Sequence, residues 1–209
     1  MPCSGLNPSR LRRLGEVQRK YSSLYIPEKY RPAEKIAGLD CAYRKELIAC
    51  SGVLWERSGK ILETRNVKGR VLFPYLSGFF AFREGPWLVA LLRKFTLKPD
   101  LVFVDGNGLL HPRRAGLAVF VGVRGGLPTV GISKRPLRGL PWDCGKEIVE
   151  LSGGYALCRK GWKRPIFISP GNLLSPEQAL RAYLDLSPHK IPAPLRKAHL
   201  SARRLLYES

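Results

Sequence analysis

Leu101-Val102-Phe103-Val104-Asp105-Gly106-Asn107-Gly108 is the stretch on which the fold turns. Four apolar residues, two β-branched and one aromatic, read as a short strand buried on both faces. They run straight into a carboxylate and a glycine turn, then into Leu109-Leu110-His111-Pro112-Arg113-Arg114. Downstream, Leu117, Phe120 and Val121 recur at helical spacing within Arg113–Arg124, Gly125-Gly126 breaks the pattern, and Pro128–Ser133 reads as a second strand. Strand, helix, strand is a parallel crossover unit, which places the chain in the α/β class.

Upstream, Lys35–Tyr43 reads as a strand with Ile36, Gly38, Asp40 and Ala42 on one face and Ala37, Leu39, Cys41 and Tyr43 on the other. Leu47–Glu56 and Lys60–Leu72 follow as strands joined at Ser58-Gly59, so the three predict an antiparallel meander. Ahead of them, Leu11, Leu14, Val17, Tyr21 and Leu24 give the stripe of an amphipathic packing helix started at Asn7-Pro8-Ser9. Pro86 suits a first helical turn, with Trp87, Leu88, Leu91, Leu92 and Phe95 facing inward and Glu84 at the helix N-terminus. Towards the C-terminus we expect short strands at 146–152, 155–159 and 165–169. A helix capped at Ser175 and a last helix with Leu195, Ala198, His199, Ala202 and Leu206 on its inner stripe complete the chain. At 209 residues one domain over 1–209 is expected, with 1–9 and 207–209 flexible.

Lys and Arg total 36 against 16 for Asp and Glu, a formal charge of +20. The basic residues are spread along the whole chain, which favours nucleic acid over a membrane surface as the polyanionic partner. Five cysteines without a Cys-x-x-Cys pair, and without histidines at ligand spacing, lead us to expect neither zinc nor a disulfide framework. No apolar run approaches the length of a membrane span, and we expect a soluble, cytoplasmic monomer.

Three carboxylates carry the chemical reading. Asp105 alone is read most simply as a turn cap, and Glu84 as a partner of the helix dipole. Asp40, in mid-strand among apolar neighbours, costs several kcal/mol unless something positive faces it. Adjacent strands would set Asp40 beside Asp105, with Glu84 arriving from the neighbouring helix. Oxygen ligands of this kind take Mg²⁺ or Mn²⁺, and two such ions about 3.5–4 Å apart hydrolyse phosphodiesters without a nucleophilic side chain. Gly106-Asn107-Gly108 lacks the rest of a dinucleotide fingerprint and no Walker sequence is present, which argues against nucleotide hydrolysis.

Phe73-Pro74-Tyr75-Leu76-Ser77-Gly78 through Phe82-Arg83-Glu84, Asp105 through Arg113, and Gly131-Ile132-Ser133-Lys134 resemble the successive signatures of endonuclease V, the deoxyinosine-directed repair nuclease. Leu39–Tyr43 and Pro194–His199 resemble the family's first and last motifs. The resemblance implies a ribonuclease H-like fold, a mixed five-stranded sheet flanked by helices. Asp40, Glu84 and Asp105 would be the metal ligands, and His199 the fourth active-site residue. Tyr75 would be the wedge that fills the gap left by an extruded nucleotide, with Pro74 and Leu76 beside it on the nucleic acid. Lys134 would approach a phosphate, His111 and Arg113 would support the metal site or the backbone, and Gly78 and Gly108 would line the space for hypoxanthine. Ser77 stands where the family usually has a second proline. Asn172 stands where a histidine followed by a basic residue is common, and would meet phosphate without charge. The implied activity is Mg²⁺-dependent hydrolysis, by metal-activated water, of the second phosphodiester bond 3′ to deoxyinosine. The alternatives are an inosine-specific endoribonuclease, a structure-specific nuclease and, less favoured, a non-catalytic binding module.

Overall fold

The computed structural model of the chain describes residues 7–28, 31–135 and 145–207. Residues 1–6 and 208–209 of the ends expected to be flexible lie outside it, as do Cys3, Cys144 and residues 136–139 of the basic loop.

In chain order the elements are α1 (Pro8–Ser23), β1 (Lys35–Arg44), β2 (Leu47–Glu56), β3 (Ile61–Arg70), α2 (Phe80–Leu92), β4 (Leu101–Asp105), α3 (Leu117–Gly125), β5 (Thr129–Ser133), β6 (Ile148–Leu151), β7 (Gly154–Leu157), β8 (Ile166–Asn172), α4 (Pro176–Leu186) and α5 (Ala193–Leu205). Among the described residues the strands form one mixed sheet of eight in the order β3-β2-β1-β4-β5-β8-β7-β6, not the five that the resemblance implies. The difference lies in the three short strands after β5. β8 pairs antiparallel with β5, and β7 and β6 follow it outward, so β5 is not an edge.

The meander and the crossover stand as expected: β1–β2 and β2–β3 are antiparallel, and β1–β4 and β4–β5 are parallel. Strand alternation then sorts the core. Ala37, Leu39, Cys41, Val102 and Val104 face α2 and α3, while Ile36, Leu101 and Phe103 face α4 and α5. Leu101–Val104 are all fully buried, each side chain stabilising the core by about 1.5–3 kcal/mol. This is why the strand is apolar on both faces. Asp105, the last residue of the strand, is the first in it that is not fully buried.

Three expectations are corrected. Helix α2 begins at Phe80, so Pro86 lies inside it and Glu84 in its second turn. Aromatic contacts of Phe82 with Phe120 and Phe73 hold that earlier turn in place. Helix α3 begins only at Leu117, because residues 106–116 fold as a loop against β8 and α1. Cys41 and Cys50 form a disulfide, and Cys158 is disulfide-bonded as well. The first pairing follows from register, since the hairpin sets Cys41 directly opposite Cys50. Spacing along the chain carries no such information.

Candidate active site

The parallel register of β1 and β4 pairs Leu39 with Val104, so Asp40 and Asp105 come next on neighbouring strands. By alternation Asp40 shares a face with Ile36 and Asp105 with Leu101 and Phe103, the side covered by α5. Helix α5 reaches this place because Gly38 has no side chain: a Cβ there would lie 2.2 Å from backbone atoms of Pro194 and Leu195. From that contact one helical turn up α5, about 6 Å, ends at His199. Two residues up β1, about 6.6 Å, end at Asp40. The two advance together, and His199 Nδ1 lies 2.6 Å from Asp40 Oδ2.

Each carboxylate has its own donor. Asp40, buried, also accepts from the Cys41 backbone N–H at 2.8 Å. Asp105, half-buried, accepts from Lys134 Nζ at 2.7 Å, and Lys134 stands directly after β5. Glu84, 3% exposed, accepts from the Tyr43 hydroxyl at 2.8 Å. The Arg83 guanidinium lies over the Tyr43 ring at 4.6 Å. In this arrangement no three of the described His, Cys, Asp and Glu side chains stand in metal-coordinating geometry.

The electrostatics nevertheless report crowding of negative charge. Burial and then the Asp105 charge raise the Asp40 carboxyl to about 6, against the His199 contact. Burial pushes Glu84 well above the ordinary carboxylate range, and Asp40 and Asp105 add to the rise against the Tyr43 bond. Burial and Glu84 push the Tyr43 hydroxyl up in turn. The hydrogen bonds to Asp40 and Glu84 do not offset desolvation and the neighbouring negative charge, whereas a divalent cation would favour the ionised form of both. Hard oxygen donors in this number fit Mg²⁺ or Mn²⁺.

The turn after β3 presents Pro74 and Tyr75 to solvent, with Tyr75 64% exposed and Leu76 half-buried. It leads into α2 and Glu84, so the exposed aromatic and the buried carboxylate belong to one short segment. His111 and Arg113 both bond the Gly78 carbonyl at the end of this turn, at 3.0 and 2.6 Å. Gly108 is buried against β8, where a Cβ would lie 2.1 Å from the Pro170 oxygen, and its N–H donates to Ser169 Oγ at 2.8 Å. Its lack of a side chain answers to that backbone approach. Asn172 is not brought to the site. It pairs with Thr129 at the far end of β5 from Ile132, the partner of Asp105. Its amide is used internally, Oδ1 by Ile26 N–H and Nδ2 by the Gly122 carbonyl.

Sequence reading overlooked Tyr43, which alternation assigns to the opposite face from Asp40, and Gln18, a polar residue on the inner face of α1. For Gln18 the signal was present, since it sits four residues after Leu14 and three before Tyr21.

Residues 19–200 match the family model described as Endonuclease V. The endonuclease V of Methanopyrus kandleri is 37% identical over 199 residues, covering 90% of this chain and 86% of its own. The crystal structure of the Streptomyces avermitilis endonuclease V superposes with a TM-score of 0.86 at 28% identity, covering 100% of this chain and 97% of its own. The Ciona intestinalis endonuclease V, crystallised with a 24mer DNA containing an inosine followed by a ribo-adenosine, shares the fold with a TM-score of 0.85 at 23% identity over 97% of this chain and 99% of its own. With a family model spanning most of its length and such a relative over nine-tenths of it, the chain belongs to the endonuclease V family of nucleases.

Proposed function

We propose that this chain is a Mg²⁺-dependent DNA repair endonuclease that hydrolyses the second phosphodiester bond 3′ to deoxyinosine, working as a soluble cytoplasmic monomer on a ribonuclease H-like core of β3-β2-β1-β4-β5. The observation that supports the reading is that Asp40 and Asp105 come next on neighbouring strands and both act electrostatically on buried Glu84, whose helix follows the exposed Tyr75 turn, in a chain of net charge +20. Family membership and the inosine-containing DNA held by the Ciona protein support the substrate.

Asp40, Glu84 and Asp105 would hold Mg²⁺, which when bound supplies the Lewis acidity that makes water nucleophilic at neutral pH and offsets the phosphodiester charge. The protein's own groups do the rest. His199, fixed through Nδ1 to Asp40, keeps Nε2 for proton exchange with water. Lys134 passes from Asp105 to a phosphate oxygen as substrate enters. Water oxygen bonds to phosphorus and gives up its proton, the bond from phosphorus to O3′ breaks, and O3′ takes up a proton from solvent, so the products carry 3′-hydroxyl and 5′-phosphate ends. Tyr75 occupies the stack that the lesion vacates.

The test is incision of an inosine-containing duplex with Mg²⁺, by the native chain and by Asp105→Ala. Cutting at the second bond 3′ to inosine, lost in the variant and in chelator, is the expected result. Equal rates in both proteins would overturn the site. The ribo-adenosine in the Ciona complex favours one second reading, an inosine-directed endoribonuclease; a faster cut of single-stranded inosine RNA than of duplex DNA would select it.

A further inference from the structure

Helix α1 is attached to the body of the protein by Tyr21, whose ring lies 4.7 Å from that of Phe120, and by a buried polar residue. Its fully buried positions are Gly15 and Gln18, whereas Val17 and Leu24, counted in the apolar stripe, are 41% and 49% exposed. Gln18 is 2% exposed. A buried amide is costly unless both its ends are used, and here they are. Nε2 donates to the Gly78 carbonyl at 2.9 Å and leans on the Ala115 carbonyl at 3.4 Å. Oε1 accepts from Arg113 Nε at 2.5 Å.

Arg113 in turn donates through Nη2 to the Gly78 carbonyl at 2.6 Å and lies over the Phe79 ring at 4.4 Å. His111 Nδ1 accepts the Arg113 backbone N–H at 3.2 Å, which leaves the ring proton on Nε2 to meet the same carbonyl at 3.0 Å. Side chains from α1 and from the loop after β4 thus converge on one backbone oxygen, the last of the turn Phe73–Gly78. At the first residue of that turn, Arg83 Nη1 donates to the Phe73 carbonyl at 2.7 Å. Both ends are held while Pro74, Tyr75 and Ser77 between them stay exposed.

We infer that Gln18 is a positioning residue for lesion recognition: it locks Arg113 onto the Gly78 carbonyl and so sets the Tyr75 turn at a fixed place relative to the Asp105 loop. The inference rests on the proposed inosine-directed activity. Gln18 itself touches no reacting atom. Only an amide serves both bonds, because a carboxylate keeps the acceptor for Arg113 but turns a second oxygen on Gly78, and a hydrocarbon leaves Arg113 Nε without its partner.

Two readouts on the full chain, for Gln18→Leu and Gln18→Glu, decide it. Amide hydrogen exchange over residues 73–79 should accelerate about tenfold or more, with the sheet unchanged. Single-turnover incision of the inosine duplex should fall about 10- to 100-fold, while affinity for unmodified duplex stays native. Should Gln18→Leu fail to fold, Gln18→Glu carries both measurements. Native exchange at 73–79, native incision, or unfolding of both variants would overturn the inference. A native chain that ignores inosine in every substrate would instead sink the proposed function, and the exchange data would still decide whether the turn is held by Gln18.

Discussion

Stability between neutral pH and pH 4 should fall through His111, and its replacement by glutamine should remove that part of the fall. The imidazole is 7% exposed. Burial, helped by the Arg113 charge and opposed by the Gly78 bond, lowers its pKa from 6.5 to about 4. Above pH 6.5 the ring is neutral in folded and unfolded chains and adds no pH dependence. Below it the unfolded chain takes up a proton that the folded chain refuses, so stability declines until the folded ring also protonates near pH 4. The interval between 6.5 and about 4, at about 1.4 kcal/mol per pH unit, amounts to about 3 kcal/mol. For a chain of this length that is roughly 6–12 °C in Tm. Protonation also removes the Nδ1 acceptor of the Arg113 N–H. The assay is urea and thermal unfolding of native protein and His111→Gln at about pH 7, 5 and 4, taking the difference between the two so that other titrating groups cancel. Glutamine retains a donor for the Gly78 carbonyl. Parallel stability curves for the two proteins would refute the reasoning, because a buried neutral histidine cannot be silent over this range.

Gly108→Ala should destabilise by about 2–4 kcal/mol or prevent folding, since its Cβ would lie 2.1 Å from the Pro170 oxygen; an unchanged denaturation midpoint would refute that crowding. Removing the Cys41–Cys50 link as a double alanine variant should cost about 2.5 kcal/mol, the entropy of closing a loop of its sequence separation of 9, read from denaturant midpoints against the native chain. Tyr75→Ala should leave stability within about 0.5 kcal/mol, because the side chain is mostly exposed. The loss of stacking, about 1–3 kcal/mol, should weaken binding of an inosine duplex in an Asp105→Ala background roughly tenfold or more; equal affinities with and without the ring would remove Tyr75 from the wedge role.

Much of the framework was legible because burial leaves a periodic imprint. The face assignments on β1, the meander, the β4-α3-β5 crossover and the Ser175 cap of α4 all follow from alternation, turn residues and capping chemistry. The same logic failed where tertiary contacts replaced local preference. Pro86 signals a helix start, yet Phe82 packs against Phe120 and extends α2 backwards. Asn172 occupies a motif position that suggests phosphate contact, yet its amide closes bonds between β8, α3 and the segment after α1.

By itself the sequence determined the α/β class, the strands that carry Asp40 and Asp105, and the need for a positive partner at Asp40, because an ionised carboxylate inside an apolar strand is untenable alone. Only the tertiary structure decided which side chain meets Asp40 and what holds the Tyr75 turn. His199 meets Asp40 because Gly38 lets α5 lie against β1. Gln18 and Arg113, 95 positions apart, meet at the Gly78 carbonyl because α1 folds over the loop that follows β4. Such partners are set by register and close approach between segments distant in sequence, and no local pattern of residues encodes them.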